Sequence, residues 1–85
     1  MIHKLKIDKV YLDAKLAGDK LFEIRYNDRG YQKGDIVEYQ DPKLDEIPFR
    51  IAYHRYEITY VTPFQQKEMW VVFGEKKLKE AQNDE

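Results

Sequence analysis

The stretch Gly18-Asp19-Lys20-Leu21-Phe22-Glu23-Ile24-Arg25 is where the chain changes period. Upstream of it, Lys9 to Ala17 holds no glycine or proline and follows Asp8, a residue suited to an N-cap. Val10, Ala14 and Ala17 share one side of that segment and Leu12 with Leu16 another, so the spacing predicts a short helix gripped from two directions. Gly18 supplies the left-handed stop. From Leu21 to Tyr26 the pattern alternates, which predicts a strand with Phe22, Ile24 and Tyr26 on one face and Glu23 with Arg25 on the other. The first set is expected to face the core and the second to be the working face.

Working outward, His3 to Ile7 alternates polar and apolar and reads as an opening strand with Leu5 and Ile7 inward. Asn27-Asp28-Arg29-Gly30 is turn chemistry, and Lys33-Gly34 is a second breaker ahead of a strand from Ile36 to Gln40. Asp41 to Pro48 reads as a solvated loop. The inward positions of the long strand from Phe49 to Val61 change parity: Phe49, Ile51 and Tyr53 are odd, while Tyr56, Ile58 and Tyr60 are even. A bulge near His54-Arg55 is the expected remedy. Thr62 to Glu68 forms a loop, and the apolar run Met69 to Phe73 reads as a strand buried on both faces that extends toward Leu78. The order β-α-β-β-β-β gives a mainly β (α+β) class: a small mixed barrel of five to six strands, with one short helix after the first strand plugging or flanking it. Residues 1–78 make this domain, and 79–85 a charged, frayed tail.

Composition narrows the function classes. Eighty-five residues, 42% of them hydrophobic, support one core. The longest apolar run is far below the roughly 20 residues of a spanning helix, and no signal-peptide pattern opens the chain, so no membrane partner and a cytoplasmic location are expected. With no cysteine and two well-separated histidines, neither a metal nor another cofactor is expected. Net charge is −1, and Glu75 to Glu85 accounts for it with three lysines against four acids, so the body is neutral. An anionic ligand has to be caught by local contacts.

Gly18-Asp19-Lys20-Leu21-Phe22-Glu23-Ile24-Arg25 reads G-x-K-x-x-E-x-R and resembles the signature of the ASCH family, the activating-signal-cointegrator homology domains, whose fold is similar to the PUA domain of RNA-modifying enzymes. The continuation Asn27-Asp28-Arg29, the Lys33-Gly34-Asp35 turn and the opening from His3 to Ile7 look like a short bacterial and phage branch of that family. The resemblance implies a small barrel with a cleft beside the motif that binds RNA or a nucleotide-like ligand. One family relative is an amidohydrolase that removes an acyl group from a modified cytidine with a Lys, a Thr and a Glu. The resemblance places its Lys at Lys20 and its Thr at Glu23, and the Glu-bearing insertion has no counterpart in this shorter chain.

Period two sets Glu23 and Arg25 about 7 Å apart on one face, with Lys20 just past the helix end. Arg takes phosphate and Glu an amino group, so Lys20, Glu23, Arg25, Asn27, Asp28 and Arg29 are the candidate ligand-binding residues. A solvent-facing ion pair and an Asx turn at Asn27-Asp28 are the plainer readings of the same residues. His3 reads as a strand-edge residue, His54 as surface and Trp70 as packing. Tyr53, Tyr56 and Tyr60 divide between a stacking platform and the core. Three functions compete: a module binding RNA or a nucleotide; a metal-independent amidohydrolase on an acylated nucleoside, with Lys20 as base and Glu23 as its carboxylate; and a protein-interaction adaptor using exposed tyrosines.

Overall fold

The computed structural model describes residues 1–40 and 53–78. The loop expected from Asp41 to Pro48, the inward positions Phe49 and Ile51, and the 79–85 tail lie outside the described residues. Among the described residues, five strands and one helix follow in the order β1 (Ile2–Lys6), α1 (Lys9–Leu16), β2 (Phe22–Tyr26), β3 (Ile36–Gln40), β4 (Tyr53–Thr62) and β5 (Trp70–Lys77). The strands form one sheet ordered β1-β3-β4-β5-β2, in which β1 and β3 are parallel and every other neighbouring pair is antiparallel. This sheet curls into a half-barrel, as the mainly β reading expects. Among the described residues, no helix is long and apolar enough to cross a membrane.

α1 starts after Asp8, whose backbone is extended and whose side chain makes no capping hydrogen bond. It ends at Ala17, and Gly18 at φ 85° turns the chain out of the helix where a side chain would strain. The buried helix face is not the one that hydrophobicity suggests: Leu12 and Lys15 are buried, whereas Val10 and Leu16 are exposed. Positions i and i+3 lie on one face, so Leu12 carries Lys15 into the concave side of the sheet. There the Lys15 ammonium lies 4.7 Å from the Tyr39 ring centroid on β3 and 5.5 Å from that of Tyr56 on β4. The helix therefore plugs the half-barrel.

The core consists of Leu5, Ile7, Leu12, Tyr31, Val37, Tyr39, Tyr56, Ile58, Val71 and Phe73. Leu5 and Ile7 point inward as expected. β2 reverses the expectation: Glu23 is buried and Arg25 half-buried on the concave side, while Phe22, Ile24 and Tyr26 are exposed outside. The bulge is also displaced from His54-Arg55. The β4–β5 register shifts between Ile58 and Tyr60, opposite Gly74, where a Cβ would come within 3.2 Å of the Thr59 hydroxyl oxygen. β5 alternates instead of burying both faces, with Val71, Phe73 and Glu75 inward and Trp70 37% exposed.

Candidate functional site

β1 and β2 are the two ends of the open sheet, and the space between them is the mouth of the half-barrel. Arg25 crosses it, donating from a terminal guanidinium nitrogen to the Lys6 carbonyl at 3.2 Å. Around this crossing lies a cleft of about 1040 Å³, just above the roughly 300–1,000 Å³ usual for ligand pockets. Five of the six candidate residues, Lys20, Glu23, Arg25, Asp28 and Arg29, line it. Asn27 does not. Its side-chain oxygen accepts the Tyr31 backbone N–H at 2.8 Å, holding the turn after β2. Rings from Tyr11, Phe22, Tyr26, Tyr31 and Trp70 complete the walls.

Glu23 organises the charges. Its Oε2 accepts from Lys20 Nζ at 2.7 Å and lies 3.0 Å from Lys15 Nζ, while Oε1 accepts from Arg25 Nε at 3.0 Å. A carboxylate has about four lone-pair sites, and three of them are in use, so Glu23 is a bracket for cations more than an acceptor awaiting a base. Burial pushes its carboxyl upward, but the hydrogen bonds and charges of Lys20, Lys15 and Arg25 outweigh burial and hold it below the usual Glu value. It remains an anion between its cations.

Behind Glu23 sits a second carboxylate. Lys15 Nζ donates to Glu75 Oε2, with both side chains sealed from solvent. The Tyr39 hydroxyl donates to Glu75 Oε1 at 2.7 Å. Burial pushes the Glu75 carboxyl above its ordinary value despite help from Lys15 and Tyr39, and the nearby Glu23 charge adds to the rise. Burial and the Glu75 charge also keep the Tyr39 hydroxyl protonated far past its usual range. Lys15, Lys20 and Arg25 against Glu23 and Glu75 make three cations to two carboxylates, a local surplus of one positive charge. The surplus lies toward the mouth, because Lys20 and Arg25 keep 22% and 27% of their side chains exposed and Lys15 none.

Sequence reasoning missed Lys15, Glu75 and Tyr39. Period two was the available signal for Glu75, since it shares parity with the buried Val71 and Phe73. His3 lies on the edge strand β1 but is buried: its Nε2 lies 2.8 Å from Asp35 Oδ2, and its ring meets Tyr31 edge-on at 4.8 Å. His54 is half-buried, Tyr56 belongs to the core and Tyr60 is exposed. The side chain of Tyr53 lies outside the description.

The plug, the ion network, β1 to β4 and β5 as far as Glu75 fall within residues 2–75, the span matched by a family described as a domain of unknown function, DUF3850. The chain belongs to that family. No curated protein matches the sequence. The DUF3850 span includes Lys15, Lys20, Glu23, Arg25 and Glu75, so the complete bracket lies inside the family's boundaries.

Proposed function

We propose that this DUF3850 domain is a cytoplasmic, ASCH-type nucleic-acid-binding module of the short bacterial and phage kind, taking an RNA nucleotide or nucleotide-like ligand in the cleft between β1 and β2. The observation that carries the reading is one buried carboxylate, Glu23, holding two partly exposed cations at the mouth of a ring-walled cleft. Arg25 has five N–H donors, and among the described residues two are engaged, by Glu23 and the Lys6 carbonyl. The remainder face a phosphate in this reading. Arg29 adds a cation on the same wall, and the tyrosine rings offer faces to a base. A net charge of −1 makes recognition depend on this cluster instead of on bulk attraction.

The amidohydrolase reading draws on the same Lys20–Glu23 contact of 2.7 Å. A general base needs a free lone pair, whereas Lys20 Nζ donates both to Glu23 and to the Phe22 carbonyl at 2.9 Å. Binding fits those bonds better than catalysis. The test is titration of a labelled oligoribonucleotide at several salt concentrations with wild type, Lys20→Ala and Arg25→Ala. Affinity is expected to fall with salt by about 0.7 log units per log unit for each phosphate neutralised, and each variant to lose about tenfold and a share of that slope. Affinity unaffected by both substitutions contradicts the proposal. Turnover of an acylated cytidine that depends on Lys20 restores the enzymatic reading.

A further inference from the structure

The outer face of β2 and β5 carries apolar side chains that the core does not use. Ile24, Tyr26 and Trp70 are exposed there, and Tyr26 and Trp70 are register partners whose rings meet edge-on at 6.0 Å. Beside them is a second hollow of about 360 Å³, lined by Ile24, Gln65, Gln66, Lys67 and Trp70. Ile24 and Trp70 line both this hollow and the cleft, so the two share a wall. The β4–β5 connection that supplies the glutamines holds Gln65 at φ 56° and Met69 at φ 69°, left-handed conformations that non-glycine residues seldom adopt. Such outliers gather at ligand sites, where the surrounding structure keeps them in place.

The chemistry of this hollow is that of a single nucleotide. An indole face stacks on any base, two amide groups each present a donor and an acceptor to a base edge, and one lysine meets a phosphate. We infer that the Trp70–Gln65–Gln66–Lys67 hollow is a second nucleotide subsite, and that the ligand is a single-stranded oligonucleotide running from the cleft over the shared Ile24–Trp70 wall. This inference rests on the cleft reading and extends it, because a mononucleotide occupies only the first subsite. Charge favours this occupant: Lys67 lines the hollow and Lys20, Arg25 and Arg29 line the cleft, so a polyanionic backbone meets cations on both sides of the shared wall.

Trp70 is the single tryptophan and lines both the cleft and the hollow, so its fluorescence reports occupancy along their shared wall. The full chain is titrated by calorimetry and by Trp fluorescence with uridine monophosphate, with an eight-residue oligouridylate and with the corresponding oligothymidylate. At least one octamer is expected to bind about tenfold tighter than the mononucleotide and to quench Trp70. Gln66→Ala and Lys67→Ala, whose side chains line the hollow and not the cleft, are expected to remove most of that gain by calorimetry while leaving mononucleotide affinity unchanged. Octamers that bind no tighter than the mononucleotide, or variants that weaken both ligands equally, overturn the second subsite and leave the cleft reading standing. Absence of binding by every ligand overturns the cleft reading and this inference with it. A fluorescence change driven by protein concentration alone assigns the face to a second copy of the chain and overturns the subsite.

Discussion

Two halves of one ion network behave differently because water reaches only one of them. At the inner end, Lys15, Glu75 and Tyr39 are sealed, and among the described residues their bonds run to one another, to Glu23 and to the carbonyls of Lys20 and Phe22. At the outer end, Lys20 and Arg25 are partly exposed and line the cleft. Glu23 belongs to both halves. The inner half holds the plug helix in place, and in the proposed reading the outer half exchanges water for a ligand.

Substitution should separate the halves most widely at Lys15. Lys15→Met leaves two buried carboxylates without their shared cation and is expected to lower stability by about 3–5 kcal/mol in urea unfolding. Pairing it with Glu75→Gln should recover part of that loss. Arg25→Ala, at the outer end, is expected to cost about 1 kcal/mol or less in the same experiment while weakening oligonucleotide binding about tenfold. A large stability loss at Arg25 would merge the two halves into one structural core.

Acid sharpens the contrast. The Glu23 carboxyl titrates below its ordinary value of 4.5 in the folded chain, so its contribution is present above that pH and is lost as pH falls through the folded value. Glu75 titrates above the ordinary value, so its contribution is complete at low pH and is lost as pH rises through the folded value. Unfolding free energy measured from pH 3 to 7 should therefore lose acid sensitivity in Glu23→Gln and rise more steeply with pH in Glu75→Gln. The smallest effect is expected far from the network. Lys9 and Asp13 form an exposed i,i+4 pair at 2.8 Å, and Asp13→Ala should change stability by about 0.5 kcal/mol or less.

The sequence made the architecture legible where period alone decides it. The glycine stop at Gly18, the alternation of β2 and the shared face of Glu23 and Arg25 all follow from local spacing. Which face of β2 turns inward does not, because hydropathy counts the cost of burying Glu23 and is blind to cations supplied from elsewhere in the chain. Lys15 and Glu75 are 60 residues apart, and only the fold brings them together. The displaced bulge has a similar origin. Parity counted forward from Phe49 pointed to His54-Arg55, while the deciding feature, the missing side chain of Gly74, lies on the neighbouring strand. The burial of His3 on its edge strand is not legible locally because Asp35, its partner, is 32 residues away.

The most direct test of the central claim, that a carboxylate-bracketed cation pair at the half-barrel mouth receives a phosphate, is amide chemical-shift mapping with uridine monophosphate on wild type and Arg25→Ala. The account predicts shifts concentrated at residues 20–31 and along Lys6 to Tyr11, nearly abolished in the variant. Shifts centred elsewhere on the sheet, or equally large in Arg25→Ala, would contradict it.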